Sequence, residues 1–400
     1  MRLFFLLFSF ALCLAQEVLE LDYRQAYELA LKNNRELQRL RYQIQALNID
    51  YELAKKYYLP VVSVGASIIY DADKKEWIRE ANINLSSLIY EFQRTSLRID
   101  ISRLRRDMAQ LLLEQLQRDL QLRILRLFSE AELYRKLTEV KREEMAVAFV
   151  RFDRARERKE LGLATDHEVF RLESIYRERR SELLQAQYML NKTLLEIKKL
   201  TGLPLESLIT LKELPKKDFD IKEEDLKGLM DMALKNNANL KIKDLELKSY
   251  EDEIRVAKEP FSMRVGLKLS TYRSSLELST PVIDTTRPYR VDRLMALKQQ
   301  AITEREDLEH NIKLVFLSAP YEWEYLKARL TETATKDRYA EENLTLRRSE
   351  YELELAFDLG YAMSEKSEAE RQLIKARHDL LLFLAQLYNL AGLEPFKVLE

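Results

Sequence analysis

Glycine and proline are scarce in this sequence, at 7 and 8 of 400 residues. An α/β enzyme of that length uses both freely at the turns between many short elements, so the scarcity argues against that class. Cysteine is nearly absent, Cys13 being the one example. No disulfide framework and no Cys-based metal site can be built from it. The three histidines, His167, His310 and His378, are scattered, and His167-Glu168 reads as a solvated turn rather than a metal site. There is no glycine-rich phosphate loop and no nucleophile elbow. These absences predict no catalytic residues, no cofactor and no bound metal. Net charge is missing as well: 66 basic and 67 acidic residues leave −1, which exerts no general pull on nucleic acid. After residue 15 no run of 18 apolar residues occurs, so any membrane crossing must use β-strands.

What is present is charge of both signs, 33% of residues, in long Leu/Glu/Lys/Arg-rich segments that predict long helices and coiled coils. The first 15 residues read as an export signal. Arg2 is the positive flank, Leu3 to Leu14 the apolar run, and Cys13-Leu14-Ala15 a cleavage site with small residues at the two positions read by the peptidase. Cleavage after Ala15 leaves a chain without thiols. Lipidation of Cys13 is the lesser alternative, because Leu12 stands where a small residue is wanted.

The chain is written twice. Ala30-Leu31-Lys32-Asn33-Asn34 returns as Ala233-Leu234-Lys235-Asn236-Asn237, and Pro60 with Gly65 as Pro260 with Gly266. Leu161-Gly162-Leu163-Ala164 returns as Leu359-Gly360-Tyr361-Ala362, and Thr201-Gly202-Leu203-Pro204 as Ala391-Gly392-Leu393-Glu394-Pro395. The echoes keep their order at separations of about 190 to 203 residues, the mark of a tandem duplication. The expected organisation is a signal over 1–15, a first repeat over 16–211, and a second repeat with a C-terminal tail over 212–400.

Each repeat predicts the same plan: a helix, a β-hairpin, a very long helix, a break and a returning helix. In the first the helices are expected over 22–58, 94–160 and 166–200, with Asp22 as N-cap. In the second they are expected over 224–258, 289–358 and 364–391, with a kink at Pro320. Leu97, Ile101, Leu104, Met108 and Leu111 step by four and three, and a second row runs from Leu113 to Tyr134. Two apolar rows imply neighbours on both sides, as in a closed ring of helices.

The hairpins alternate with period two. Val62, Val64, Ala66, Ile68 and Tyr70 alternate with Ser63, Gly65 and Ser67; Leu267 and Leu269 alternate with Lys268 and Ser270. Four strands of this kind match a transmembrane barrel but are too few to close one, whose smallest members have about eight strands. Three copies would supply twelve. Arg264, Lys268 and Glu277 are then expected in the barrel lumen, and Tyr70, Tyr90, Phe92 and Tyr272 at the membrane interfaces. A two-residue turn at Tyr272-Arg273 would set Lys268 opposite Glu277 and Leu267 opposite Leu278.

Taken together, these features resemble the TolC family of outer-membrane efflux proteins. The most specific pieces are Tyr27-Glu28-Leu29-Ala30-Leu31-Lys32-Asn33-Asn34, the Pro60 entry to the first hairpin, and Leu161-Gly162-Leu163-Ala164-Thr165 followed by Glu168-Val169. The resemblance implies a mainly α fold with a β-barrel portion: a homotrimer with a twelve-stranded barrel in outer-membrane lipid, an α-helical tunnel through the periplasm, and a mixed belt from segment 201–226 and the tail. It implies an export duct of a tripartite efflux or type I secretion system, not an enzyme. The Gly-containing turns, Leu161, Gly162, Leu163, Ala164, Thr165 and Leu359, Gly360, Tyr361, Ala362, Met363, would be tips that dock a periplasmic adaptor (membrane fusion) protein, which links the channel to an inner-membrane transporter. Glu168, Glu365, Lys366 and Glu368 would lie near the periplasmic aperture. The family often carries Asp six residues after the turn Gly; here Glu168 and Lys366 stand there. The alternative from another class is a secreted structural coiled-coil protein without channel activity.

Overall fold

A computed structural model describes residues 19–56, 59, 61–71, 73, 75–87, 94–217, 219, 221–259, 264–270, 274–279, 284–352 and 359–400. The expected signal, Cys13, Pro60, Tyr90, Phe92, Tyr272 and Arg273 lie outside them. The elements run β1 (Leu19–Leu21), α1 (Tyr23–Asn33), α2 (Arg35–Lys55), β2 (Val61–Asp71), β3 (Glu76–Ser87), α3 (Arg94–Glu160), α4 (Asp166–Thr201) and β4 (Ile209–Leu211). They continue with α5 (Glu223–Asn236), α6 (Ala238–Lys258), β5 (Arg264–Ser270), β6 (Ser274–Ser279), α7 (Arg287–Glu352), α8 (Leu359–Leu390) and a short 3-10 helix, Pro395–Leu399.

Where one helix was expected at the start of each repeat, the structure has two. Asp22 caps α1 as anticipated: its carboxylate accepts from the Gln25 amide, and the Gln25 side-chain oxygen in turn accepts from the Asp22 N–H. The helix then breaks at Asn34, whose backbone turns extended (φ −64°, ψ 123°) and whose side-chain oxygen accepts from the Glu36 amide at 2.9 Å. The echo behaves alike. Asn237 (φ −56°, ψ 123°) caps α6, accepting from the amides of Asn239 at 3.0 Å and Leu240 at 3.3 Å. The repeated Asn-Asn is therefore a break and cap, which a continuous apolar period hides.

The chain divides into two compact units whose bounds cut across the two expected repeats. One contains residues up to Glu36, Gln117–Ala233 and Leu314–Glu400. Its core is helical: Ile124, Leu125, Phe128 and Val140 of α3, Ala186 and Ile197 of α4, and Leu380, Leu384 and Leu387 of α8 are buried. Trp323 of α7 stacks on Phe383 with centroids 6.4 Å apart. The tail is pinned there, since Phe396 takes the edges of Tyr23 and Tyr27 at 5.0 and 5.4 Å. The parallel pairing of β1 with β4 was not legible from three-residue strands. Glu132 and His378 form a covered pair, Oε2 to Nε2 3.4 Å.

The other unit contains Leu37–Leu116 and Leu234–Lys313. Leu37, Leu40, Ile101, Leu104, Leu240 and Ile312 are buried in it, and ion pairs tie its helices: Arg105 to Glu253 at 2.9 Å, Lys243 to Glu304 at 2.6 Å, Lys298 to Glu251 at 2.9 Å and Arg305 to Asp244 at 2.6 Å. It also holds the four-stranded sheet, in the order β2-β3-β5-β6, antiparallel throughout. α7 continues through Pro320 without interruption.

Because Asn237 is buried and caps two amides, Asn237→Ala should lower stability by about 1 kcal/mol, while Asn237→Asp, which keeps the acceptor, should lose much less. Urea unfolding of the two variants against the parent chain measures the difference.

Candidate functional site

The sheet segregates its residues by face, and the register carries that segregation across all four strands. Val62 pairs with Leu85, Val64 with Ile83, Ala66 with Ala81 and Tyr70 with Trp77. Leu85 continues to Leu267 and Ile83 to Leu269, and Leu267 continues to Leu276. The alternate positions pair Ser63 with Asn84, Gly65 with Asn82, Asn84 with Lys268 and Gly266 with Glu277. The apolar face is open: Val64 is 79% exposed, Ile68 67% and Trp77 69%. A sheet packed on helices in water would bury that face instead. The rings of Tyr70 and Trp77 lie 5.1 Å apart at the end of the first hairpin. Trp77 went unremarked in the sequence, although it shares the period of Ala81, Ile83 and Leu85. The segregation has exceptions: Arg79 pairs with Ile68 on the mainly apolar face, and Val61 and the Ile69–Ile78 pair lie on the mainly polar one.

The expected pairing of Lys268 with Glu277 is corrected. Lys268 pairs with Ser275, Gly266 with Glu277 and Leu267 with Leu276. The last pair is Leu269 with Ser274, so four residues, not two, separate the last paired positions. A shift of two residues preserves facing, and Arg264, Lys268 and Glu277 still occupy register positions of one face.

At the first helix turn Gly162 ends α3 with φ +73°, a conformation that a Cβ disfavours. The Gly162 amide donates to the Lys159 carbonyl at 2.8 Å and the Leu163 amide to that of Arg158 at 2.7 Å, a Schellman closure. Thr165 then caps α4 through the Glu168 amide. Arg158 and Lys159 at the C-terminus of α3 pair with Glu168 and Asp166 at the N-terminus of α4, so each helix dipole meets a charge of favourable sign. The turn presents Leu161, Leu163 and Phe170, 74%, 64% and 65% exposed.

The second glycine works differently, and the expectation of a tight turn at Gly360 is corrected. Leu359, Gly360, Tyr361, Ala362 and Met363 form the helical start of α8, and Gly360 is not among the left-handed glycines. Its role is close approach: a Cβ there would stand 2.5 Å from Cγ2 of Val147 on α3. Beside it the Arg151 guanidinium lies 4.3 Å from the centre of the Tyr361 ring and donates to its hydroxyl. Ala362 is buried and Met363 exposed.

The four expected aperture residues separate. Glu168 belongs to the first turn. Glu365 accepts from the Asn343 side chain at 2.8 Å, and Lys366 bridges Asp337 at 2.8 Å and Glu341 at 2.9 Å, both joining α8 to α7. Glu368 pairs along its own helix with Arg371 at 2.6 Å. Burial would lower the Lys366 pKa, but bonds to Asp337 and Glu341 hold it above its ordinary value. Burial would raise that of Glu368, but Arg371 and Gln372 hold it below the usual carboxylate range. Among the described residues no cluster of three or more His, Cys, Asp or Glu could hold a metal, and no helix is long and apolar enough to cross a membrane.

Two outcomes follow from this geometry. Gly360→Ala should destabilise the α3–α8 contact by about 1–3 kcal/mol through overpacking, and Val147→Ala in the same chain should recover most of the loss, measured as a double-mutant cycle in urea. Gly162→Ala has no such partner, but Gly162→Asn, tolerant of left-handed φ, should be the milder change. The α7–α8 bridge should be insensitive to pH through neutrality. The stabilisation from Lys366 is present below its ordinary pKa and lost only as pH rises through the raised value. That from Glu368 is present above its ordinary pKa and lost as pH falls through the depressed one. Spin labels on α7 and α8 should hold one distance from about pH 6 to 9, whereas Lys366→Met should broaden it at neutral pH; loss of the Glu368 pair in acid should loosen α8 itself and leave that distance unchanged.

The comparisons with known proteins agree with this architecture. The family model described as Outer membrane efflux protein matches residues 26–203. No curated protein matches the chain in sequence. Among solved structures the chain is similar to the Campylobacter jejuni CmeC outer membrane channel, with a TM-score of 0.72 at 12% identity over 92% of this chain and 85% of that one. It is similar to the outer membrane protein VceC from Vibrio cholerae, with 0.65 at 14% identity over 94% and 95%. It is also similar to the open state of the Neisseria gonorrhoeae MtrE outer membrane channel, with 0.64 at 16% identity over 93% and 89%. At these identities the likeness is one of fold. From α1 to the beginning of its β4 connection the chain thus carries the outer membrane efflux protein signature, set in a fold shared with outer-membrane channels over more than nine-tenths of its length.

Proposed function

We propose that this protein is the outer-membrane channel subunit of a tripartite efflux or type I secretion system, a passive duct rather than an enzyme. The observation that carries the proposal is the sheet, one face of which is mainly apolar and yet open, while the alternate positions are mainly polar. β2 and β6 are each paired on one side among the described strands. Hydrocarbon does not tolerate an open sheet edge, because each unpaired backbone group costs several kcal/mol there. Other copies of the chain must therefore supply the missing partners. Three copies of four strands make twelve, an even-numbered antiparallel barrel wide enough for a pore. The polar register positions, Arg264, Lys268 and Glu277 among them, then line the lumen, and Tyr70 and Trp77 sit at an interface.

The helices beyond the sheet extend into the periplasm. Their exposed turn residues Leu161 and Leu163, with the α8 start at Tyr361 and Met363, are the surfaces offered to a periplasmic adaptor, through which an inner-membrane transporter is reached. Glu365 and Lys366, joining α8 to α7, are placed to hold the periplasmic aperture. A secreted structural coiled coil would need no sheet with an open apolar face, which disfavours that alternative.

Four measurements test the proposal. Analytical ultracentrifugation in detergent should give a trimer, and planar bilayers should show conductance; a monomer without conductance would overturn the assignment. In membranes a water-soluble thiol reagent should modify Lys268→Cys and spare Leu267→Cys, and the reverse pattern would place the faces the other way. A charge introduced at Leu267 should be far more damaging than neutralising Lys268, by up to about 2–4 kcal/mol near the bilayer midplane.

A further inference from the structure

The helix ends that adjoin the sheet carry a charge pattern that neither helix stability nor pore lining explains. Four helices meet the sheet: α2 and α6 run into strands, while α3 and α7 emerge from them. Ala54 of α2, Arg94 of α3, Ala257 of α6 and Arg290 of α7 all line one cleft of about 570 Å³, so the four ends lie together. Within about one turn of these helix ends the described residues are Lys55, Lys56, Arg94, Arg255, Lys258, Arg287 and Arg290 against Glu52, Glu259 and Asp284, and with Glu91, which precedes α3 in the sequence, the balance is seven cations to four carboxylates. One turn further the balance reverses, with Arg98 and Arg293 against Asp50, Asp100, Glu251, Asp252, Glu253 and Asp292. The positive excess is a layer one turn thick.

The helix dipole accounts for only half of that layer. Cations at the C-termini of α2 and α6 are favourable, but α3 and α7 present their N-termini here, where acids are favourable. Neither α3 nor α7 has an acidic residue in its first turn; both begin with arginine. Some of the cations have partners: Lys55 pairs with Glu52, Arg290 with Asp284, and Arg94 donates to the Glu259 carbonyl at the end of α6. Even so the layer keeps its excess, and two helix N-termini add partial positive charge to it. Tyr289, between Pro288 and Arg290, is 78% exposed. An exposed aromatic ring with Arg287 and Arg290 within three residues of it, at the start of a helix that follows a strand of the sheet, is the composition of a membrane–water interface.

We propose that this layer is a collar that binds the phosphate groups of anionic phospholipids in the leaflet next to the helices. Lys55, Lys56, Arg287 and Arg290 hold the headgroups, and Tyr289 enters the interface beside them. The proposal rests on the sheet being the membrane-crossing element. The apolar face fixes the depth of the hydrocarbon, the collar lies immediately beyond it, and the acidic turn that follows is kept out of the headgroups by its own charge. Anionic lipid would thereby set how far the protein sinks into the bilayer.

The test uses the full chain reconstituted in vesicles with spin-labelled phosphatidylglycerol or phosphatidylcholine, reading the fraction of each held in the motionally restricted lipid shell. Phosphatidylglycerol should be favoured by at least about threefold, and the preference should vanish at high NaCl. In the variant combining Lys55→Gln, Lys56→Gln, Arg287→Gln and Arg290→Gln the ratio should fall to about one. Equal retention of both lipids by the parent chain, or an unchanged preference in the inserted variant, overturns the collar. Inorganic phosphate that abolishes the preference, when NaCl of equal ionic strength does not, would make this a soluble-anion site and overturn the lipid assignment. Insertion is read separately. Trp77 is exposed on the apolar face and Trp323 is buried, so brominated acyl chains should quench Trp77. Absence of quenching in the parent chain would instead overturn the channel reading itself.

Discussion

A backbone that enters hydrocarbon must find every hydrogen-bond partner within protein, and that constraint organises this chain. On the reading proposed here the strands make the crossing, since among the described residues no helix is long and apolar enough to do so. Four strands leave two edges, so one copy cannot satisfy its own backbone. On that reading assembly is part of the folded state of the membrane portion rather than a later association of finished subunits. The same constraint explains why the register carries the faces across β2, β3, β5 and β6 without a slip. A one-residue error anywhere would exchange the faces of Leu267 and Lys268.

The helical portion meets the opposite problem, that of remaining specific while surrounded by water. Mixed charge answers it in two ways. Along single helices, pairs such as Glu173–Arg177 and Glu332–Lys336 neutralise neighbours at little gain in stability, since water and salt screen exposed pairs. Between helices, pairs such as Lys366 with Asp337 and Glu341 fix which helix lies beside which, because a wrong neighbour would confront like charge.

Much of this was legible because helix periodicity over many turns is a strong signal. The bounds of α3, Arg94–Glu160, follow from its apolar rows and from Gly162. The first hairpin was visible from its alternation. What escaped depended on partners distant in sequence. Nothing local says that Asn34 and Asn237 break a helix, since flanking residues keep the helical period. Gly360 echoes Gly162 by position, yet its neighbour Val147 lies far off in sequence, and only packing distinguishes a glycine that turns from one that permits approach. Turn length in the second hairpin lacked a Gly or Asn to mark it, so the pairing was misjudged by two residues although the faces were not. The docking and aperture residues were named by resemblance, and the geometry sorts them into one turn, one helix–helix contact and one intrahelical pair.

A last feature joins the sequence pattern to assembly. Two apolar rows along α3 imply neighbours on both sides, yet several other helices keep apolar side chains open. Tyr42, Ile49 and Leu53 on α2, Leu184, Tyr188 and Leu195 on α4, and Leu314, Leu317, Tyr321 and Tyr325 on α7 are all more than half exposed except Leu195, at 44%. Their spacings of three, four and seven keep each set on one side of its helix. Such rows are poor choices for a helix facing water alone. On the reading proposed here they meet the helices of adjacent copies, so the closed ring that the strands require in the membrane is continued by the helices outside it. The two portions then demand the same symmetry for unrelated reasons: backbone hydrogen bonds that cannot be left open in lipid, and apolar stripes that are disfavoured in water.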